Sequence, residues 1–260
     1  MKTRVISAII MLVICVPALF LGGILMDILA FGVALIGCYE FCSIRKKRFN
    51  VILYISMIVF IALINIFSHR QVGLILIFVI VLFFFAILFE DISLDDVSST
   101  FLMGVIIAFA VHSVLRIYDI DNGYLIMFYI LIAAFGCDIM ALLVGMKFGK
   151  HPLNKRVSPK KTIEGAIGGW FFGALFSFIF AYFFLKPEYL NFYLCTSLTL
   201  PIIAQVGDLS FSLIKRNYGV KDFGSLIPGH GGILDRADSL LFCLIFFISM
   251  VVFRWKKLLY

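Results

Sequence analysis

The sequence predicts an all-α polytopic integral membrane protein with about nine transmembrane helices. Three observations carry this reading. Of the 260 residues, 63% are hydrophobic, and the mean hydropathy is +1.12. Charged residues make up 14% of the chain, against about 25% in soluble domains. Apolar runs of span length follow one another with short polar breaks, so no stretch is left for a separate soluble domain. The expected organisation is a single transmembrane domain over 1–260, with N-terminal helices in 1–120 and the chemistry-bearing helices and loops in 124–260.

The first run, MKTRVISAIIMLVICVPALFLGG, imitates a signal peptide. It is long and lacks an A-x-A site, so it reads as an uncleaved span over 5–23. Gly22, Gly23 and Asp27 separate it from a second span, 25–43. Further apolar runs place spans at 51–67, 72–89, 101–117, 124–146, 163–185, 189–208 and 239–255. With the N-terminus inside, the loops 44–50, 90–100, 147–162 and 209–238 face the cytoplasm. The basic run Arg45 to Arg48 and the six Lys/Arg from Lys147 to Lys161 agree with that orientation. Such clusters can also hold anionic lipid headgroups. Glu90, Asp91, Asp95 and Asp96 make one inner loop acidic, but acids count little in the rule. Nine spans put the basic tail RWKKLLY outside, which runs against it.

The six cysteines lie in or beside apolar runs and form no C-x-x-C pair. They read as small buried hydrophobes, without a disulfide framework or a zinc site.

Two inner loops are longer and more polar than the rest. In the second, Asp208 ends the eighth span, and Asp235 and Asp238 begin the ninth. An i, i+3 spacing puts the latter two on one helix face. If the helices pack antiparallel, Asp208 meets Asp235 at the membrane boundary. Acids so placed repel unless a cation lies between them, and their oxygens suit Mg²⁺. The plainer alternative is that both α-helical acids only complement a helix N-terminus. Lys215, Arg216, Lys221 and Arg236 share the loop, as do Gly229, Gly231 and Gly232, which admit close approach or positive φ. Acids for a metal, bases for phosphate oxygens and backbone N–H groups at a helix start together fit a metal–polyphosphate complex. His230 alone is a weak signal and reads as structural or phosphate-contacting rather than as a general base.

The other loop carries SPKKT, Ser158 to Thr162. Pro159 sets an extended entry, Thr162 can cap the seventh helix, and Glu164 falls in its first turn. Lys160 and Lys161 add positive charge there, a second anion site. No Walker A pattern occurs. Gly165, Gly169 and Gly173, spaced by four, form a small-residue face for helix packing. Asp138 lies within the sixth span, where an ionisable group is costly. It reads equally as a functional residue facing the polar cavity and as a buried packing partner. His112 and Arg116 on the fifth span receive no role.

The stretch SLIKRNYGVKDFGSLIPGHGGILDRAD, Ser212 to Asp238, resembles the signature of phosphatidate cytidylyltransferases, also called CDP-diacylglycerol synthases. That pattern is S-x-x-K-R, four residues, K-D, then H-G-G-x-x-D-R-x-D. Here it is met by Ser212, Lys215, Arg216, Lys221, Asp222, His230, Gly231, Gly232, Asp235, Arg236 and Asp238. The segment VSPKKTIEGAIGG is similar to the family's S-P-K-K-T-x-E-G. Two departures stand out. Ala237 replaces a larger apolar residue or Thr, and GCDIMALL keeps Asp138 without the polar neighbours usual in the family.

The resemblance implies transfer of a cytidylyl group from CTP to phosphatidic acid, giving CDP-diacylglycerol and pyrophosphate in phospholipid biosynthesis. It implies an Mg²⁺-dependent site in a polar cavity at the cytoplasmic interface of the cell membrane. Asp208 and Asp235 would bind the cation, with Asp238 as a further ligand, Asp138 as an outer neighbour, and a second cation able to sit alongside. Lys215, Arg216, Lys221 and Arg236 would hold phosphates, with Asp222 in the same motif. Ser158, Lys160, Lys161 and Thr162 would form the opposite wall of the substrate site, with His230, Gly231 and Gly232 lining it. The implied partners are CTP, phosphatidic acid and the bilayer, with no nucleic acid; a homodimer stays open.

A CTP-dependent polyprenol or phytol kinase is the nearest rival, and it would release CDP instead of pyrophosphate. The D-G-x-x-A-R…G-x-x-x-D-x-x-x-D motif of CDP-alcohol phosphotransferases is absent. A transporter using Asp138 and the loop acids would be expected to show repeats in its two halves, and none is seen.

Overall fold

A computed structural model describes residues 2–44, 50–226 and 231–254. Arg45 to Arg48, Gly229, His230 and the residues after Arg254 lie outside the described residues. The described chain forms nine α-helices in order: α1 (Lys2–Leu21), α2 (Gly23–Ser43), α3 (Val51–Ile66), α4 (Gln71–Leu88), α5 (Leu94–Tyr118), α6 (Gly123–Phe148), α7 (Ile163–Phe184), α8 (Leu190–Asn217) and α9 (Leu234–Arg254). Among the described residues, seven helical segments are long and apolar enough to cross a membrane. Ile10–Leu21 and Val51–Ile66 are shorter apolar helices. Length and composition thus support an all-α membrane protein.

Two boundaries differ from expectation for identifiable reasons. The acidic loop at 90–100 is largely the start of α5. There Ser93 Oγ donates to Asp96 Oδ2 at 2.8 Å, and Asp96 Oδ2 also accepts the Ser93 N–H at 3.0 Å. The Asp96 N–H donates back to Ser93 Oγ at 3.3 Å, a reciprocal cap that converts acidic residues into a helix start. Helix α8 does not stop at Asp208 but continues to Asn217. The reason is a helical period kept by polar sequence: Phe211 and Lys215, four apart, are both buried, and Lys215 and Arg216 occupy the last turn, where cations are favoured.

The loop at 147–162 holds the only strands among the described residues, β1 (Pro152–Asn154) and β2 (Ser158–Thr162), paired antiparallel. Asn154 Oδ1 accepts the N–H groups of Arg156 and Val157, both at 3.1 Å, and so closes the turn between them. Strands this short leave too few residues for an alternating pattern to be read.

The chain divides into two compact units. Unit 1 holds 1–115 with 222–235, and unit 2 holds 116–221 with 236–260. In unit 1 the core is built from Phe41, Leu53, Met57, Phe60, Phe78 and Met103, all buried. Phe60 and Phe78 stack with ring centroids 4.1 Å apart. Gly104 makes room for that stack, since a Cβ there would lie 2.9 Å from the Phe78 ring.

In unit 2, α6 and α7 pack through the glycine face. A Cβ on Gly169 would lie 2.7 Å from the Cys137 carbonyl oxygen, and one on Gly165 would lie 2.6 Å from that of Ala141. Lipid tails are as apolar as leucine, so close backbone contact replaces hydrophobic drive between helices. Polar side chains add to it. The buried Tyr129 hydroxyl on α6 meets Thr196 Oγ1 at 2.7 Å, Ser197 Oγ at 2.9 Å and the Tyr193 carbonyl at 3.0 Å, all on α8. Each such bond contributes about 0.6 kcal/mol in a bilayer. Beyond the helix ends, Lys186 Nζ pairs with Asp121 Oδ2 at 3.0 Å, which raises the Lys186 pKa above its ordinary value.

Candidate active site

Unit 2 gathers charge around one acid. Asp208 on α8 pairs with Lys161 of β2, so SPKKT is brought to a carboxylate. The hairpin makes this possible. Thr162 ends β2 and caps α7, its Oγ1 accepting the Gly165 N–H at 3.1 Å. With the cap fixed, Lys161 sits one residue before the capping Thr162, partly buried, while Lys160 is exposed. Glu164, in the first turn as expected, folds back on the hairpin entry. It accepts from the Lys150 and His151 N–H groups at 3.1 and 3.2 Å and contacts His151 Nδ1 at 2.6 Å.

Helices α8 and α9 meet closely beside Asp208. A Cβ on Gly207 would lie 2.7 Å from the Asp238 carbonyl oxygen and 3.1 Å from Phe242 Cβ. This contact brings the Asp238 carboxylate, itself buried, under the influence of Asp208, Lys215 and Asp138. Asp138 on α6 in turn feels the charges of Asp208 and Lys161, and its Oδ2 accepts the Ser239 hydroxyl at 2.8 Å. Three carboxylates and two lysines therefore share one neighbourhood within this unit. Asp138 belongs to it as a hydrogen-bonded member. Neither Gly207 nor Ser239 was singled out in the sequence. Gly207 precedes an acid in a helix, and a small residue there is the available signal for close packing.

Arg216 is exposed at the end of α8 and engages backbone. Its Nη1 donates to the Val220 carbonyl at 3.0 Å and its Nε to that of Val157 at 3.4 Å, tying the hairpin turn to the segment after α8. Lys221 and Arg236 are exposed, and Lys215 is buried. Ser158 is half-buried on β2.

Unit 1 holds the remaining signature residues. Asp235, in the first turn of α9, accepts the Phe223 N–H at 2.8 Å and the Gly232 N–H at 3.0 Å through Oδ2. That bond pattern gives substance to the helix-start alternative for this acid. Gly231 has φ of 88°, the left-handed region that glycine adopts without strain. Gly232 is close-packed, though by another side chain: a Cβ there would lie 2.5 Å from Glu40 Oε2. Asp222 is exposed. His230 lies outside the described residues.

A family model described as the cytidylyltransferase family matches residues 2–254. A phosphatidate cytidylyltransferase of Bacillus subtilis (strain 168) is 37% identical over 153 residues, which cover 58% of this chain and 57% of that protein. Proteins of the same name from Staphylococcus aureus (strain COL) and Staphylococcus epidermidis (strain ATCC 12228 / FDA PCI 1200) are 33% and 32% identical, over 252 and 253 residues. Each of these alignments covers 94% of this chain and 96% of the relative. The chain belongs to the cytidylyltransferase family.

Proposed function

We propose that this chain transfers the cytidylyl group of CTP to phosphatidic acid, leaving CDP-diacylglycerol in the membrane and releasing pyrophosphate. The observation that carries the reading is the Lys161–Asp208 pair, which brings the SPKKT segment into one charged neighbourhood with Asp238 and Lys215 of the signature and with Asp138. A lipid phosphate oxygen bonds to the α-phosphorus of CTP. The bond from that phosphorus to the bridging oxygen breaks, and its electron pair leaves with pyrophosphate. The lipid phosphate is already a nucleophile, so no strong base is required. The residues' work is to bring two anions together and offset the charge that builds on the leaving group.

Lys161 and Lys215 hold phosphate oxygens close to the acids. Lys160, Lys221 and Arg236 supply positive charge toward solvent for the incoming anions. Arg216 keeps the hairpin in register with the end of α8 and leaves its remaining donors for phosphate. Ser158 and Thr162 line the wall beside them, with Asp222, His230, Gly231 and Gly232 on the signature loop.

Mg²⁺ is the expected cofactor, with room in the reading for a second cation. Asp208, Asp235 and Asp238 offer only hard oxygen donors, with Asp138 as an outer neighbour. Among the described residues no group of three His, Cys, Asp or Glu forms a ready-made cage. That donor set suits an ion that completes its shell with phosphate oxygens and waters. When bound, the ion would neutralise charge on the transferring phosphates. The same reading has about nine crossings in the cell membrane, a polar cavity at the cytoplasmic face, and is compatible with a homodimer.

The test is pyrophosphate release by purified protein in phosphatidic acid vesicles, run with each nucleoside triphosphate. Release with CTP alone is expected. CDP with a phosphorylated lipid would instead indicate a lipid kinase, and CTP-independent ion flux a transporter.

A further inference from the structure

Glu40 stands outside every motif of the sequence, near the C-terminal end of α2, and is 3% exposed. A carboxylate buried at that depth is costly unless fully hydrogen-bonded. Both of its oxygens are engaged by the same short segment. Oε1 accepts the Ile233 N–H at 2.9 Å, and Oε2 accepts the Leu234 N–H at 3.0 Å. These amides open α9, where N–H groups have no partner inside the helix.

Two glycines of the signature segment press against the same group. A Cβ on Gly224 would lie 2.7 Å from Glu40 Oε1, and one on Gly232 would lie 2.7 Å from that atom and 2.5 Å from Oε2. Gly232 also links this carboxylate to the next. Its α-carbon sits on Glu40 while its N–H donates to Asp235 Oδ2. Gly232 of the H-G-G-x-x-D motif therefore has a partner in the protein itself: with Gly224 it admits an acid from α2.

We infer that Glu40 is a positioning residue, which holds the Gly232–Leu234 backbone and through it the orientation of the Asp235 carboxylate. The consequence for turnover rests on the cytidylyl-transfer reading; the anchoring does not. An amide at this position would accept one N–H and turn its own NH₂ toward the other. A shorter acid would keep both acceptors but sit about one methylene too far away. The geometry thus ranks the variants: Glu above Asp, and Asp above Gln.

The experiment uses the full chain in phosphatidic acid vesicles. In Glu40→Gln, kcat with CTP is expected to fall about 10- to 100-fold, the loss typical of a misplaced reacting group. The KM for each substrate should stay within about twofold, because the substrate-holding cations are untouched. Amide hydrogen exchange at 232–234 should speed up about tenfold, as for loss of one charge-assisted hydrogen bond. Glu40→Asp should recover part of both effects. Wild-type kcat or wild-type exchange in Glu40→Gln overturns the proposal. So does loss of helical circular dichroism in that variant, which would make Glu40 a folding residue. If the unmodified chain releases no pyrophosphate from CTP, the functional reading fails, and the exchange measurement still decides the anchoring.

Discussion

Replacing Asp208 by Asn separates the catalytic account of the charged cluster from a purely structural one. The substitution keeps the size of the side chain, so the tight α8–α9 contact at Gly207 is undisturbed. What it removes is one negative charge and the ion pair with Lys161. The Lys161 and Asp208 side chains are 33% and 23% exposed, so solvent screens the pair substantially. Discounted for that exposure, the pair contributes about 0.5–1 kcal/mol. In a chain of this size that corresponds to a fall in Tm of only about 1–4 °C. The loss of a preorganised charge at a phosphoryl-transfer site costs far more, about 10²–10³ in kcat. The two scales differ by several kcal/mol, so they cannot be confused. Thermal unfolding in detergent and steady-state CTP turnover on the same preparation measure both. A kcat within about threefold of the unmodified protein, or a loss no larger than the change in folded fraction, would refute the catalytic role of Asp208.

Two further outcomes follow from neighbouring geometry. Lys161→Ala removes the same ion pair but leaves the acid, so its main effect should be a rise in KM for CTP or phosphatidic acid of about tenfold; an unchanged KM for both would reduce Lys161 to a charge that sets topology. Gly169→Leu forces a side chain where even a Cβ would lie 2.7 Å from the Cys137 carbonyl and 2.8 Å from Ala141 Cβ. It should destabilise the α6–α7 contact by at least about 1–3 kcal/mol, seen as a lowered Tm in detergent, and unchanged stability would argue against that packing.

The parts of the fold legible in the sequence were those written in hydrophobicity and caps. Span-length apolar runs marked the helices, and Thr162 and Glu164 marked the start of α7. The parts that were not legible depend on contacts between distant residues. Helix α8 was cut short at Asp208 because polar residues follow, yet Lys215 is buried on its continuing face. Strands β1 and β2 are held by register and by the Asn154 turn rather than by a pattern of their own.

The site divides in the same way. Its acids and bases were named from a dense local motif, but their grouping was not visible there. Asp138 entered as an isolated intramembrane acid and is tied to Ser239 on α9. Glu40 was missed although the same reasoning applies to it: an ionisable residue inside the apolar run GCYEFCS needs a partner, and its partners are backbone amides 193 and 194 residues away. No local spacing announces an acceptor for amides so far along the chain. A glycine such as Gly232 gives space to a ligand or to a side chain alike, and its close neighbour is that carboxylate.

The most direct test of cytidylyl transfer follows the phosphorus. Protein in phosphatidic acid vesicles is supplied with CTP labelled at either the α- or the γ-position, and the lipid and aqueous products are separated. The account predicts α-label in the lipid fraction as CDP-diacylglycerol, and γ-label in pyrophosphate. Lipid carrying the γ-label, with the α-label left in CDP, would contradict it.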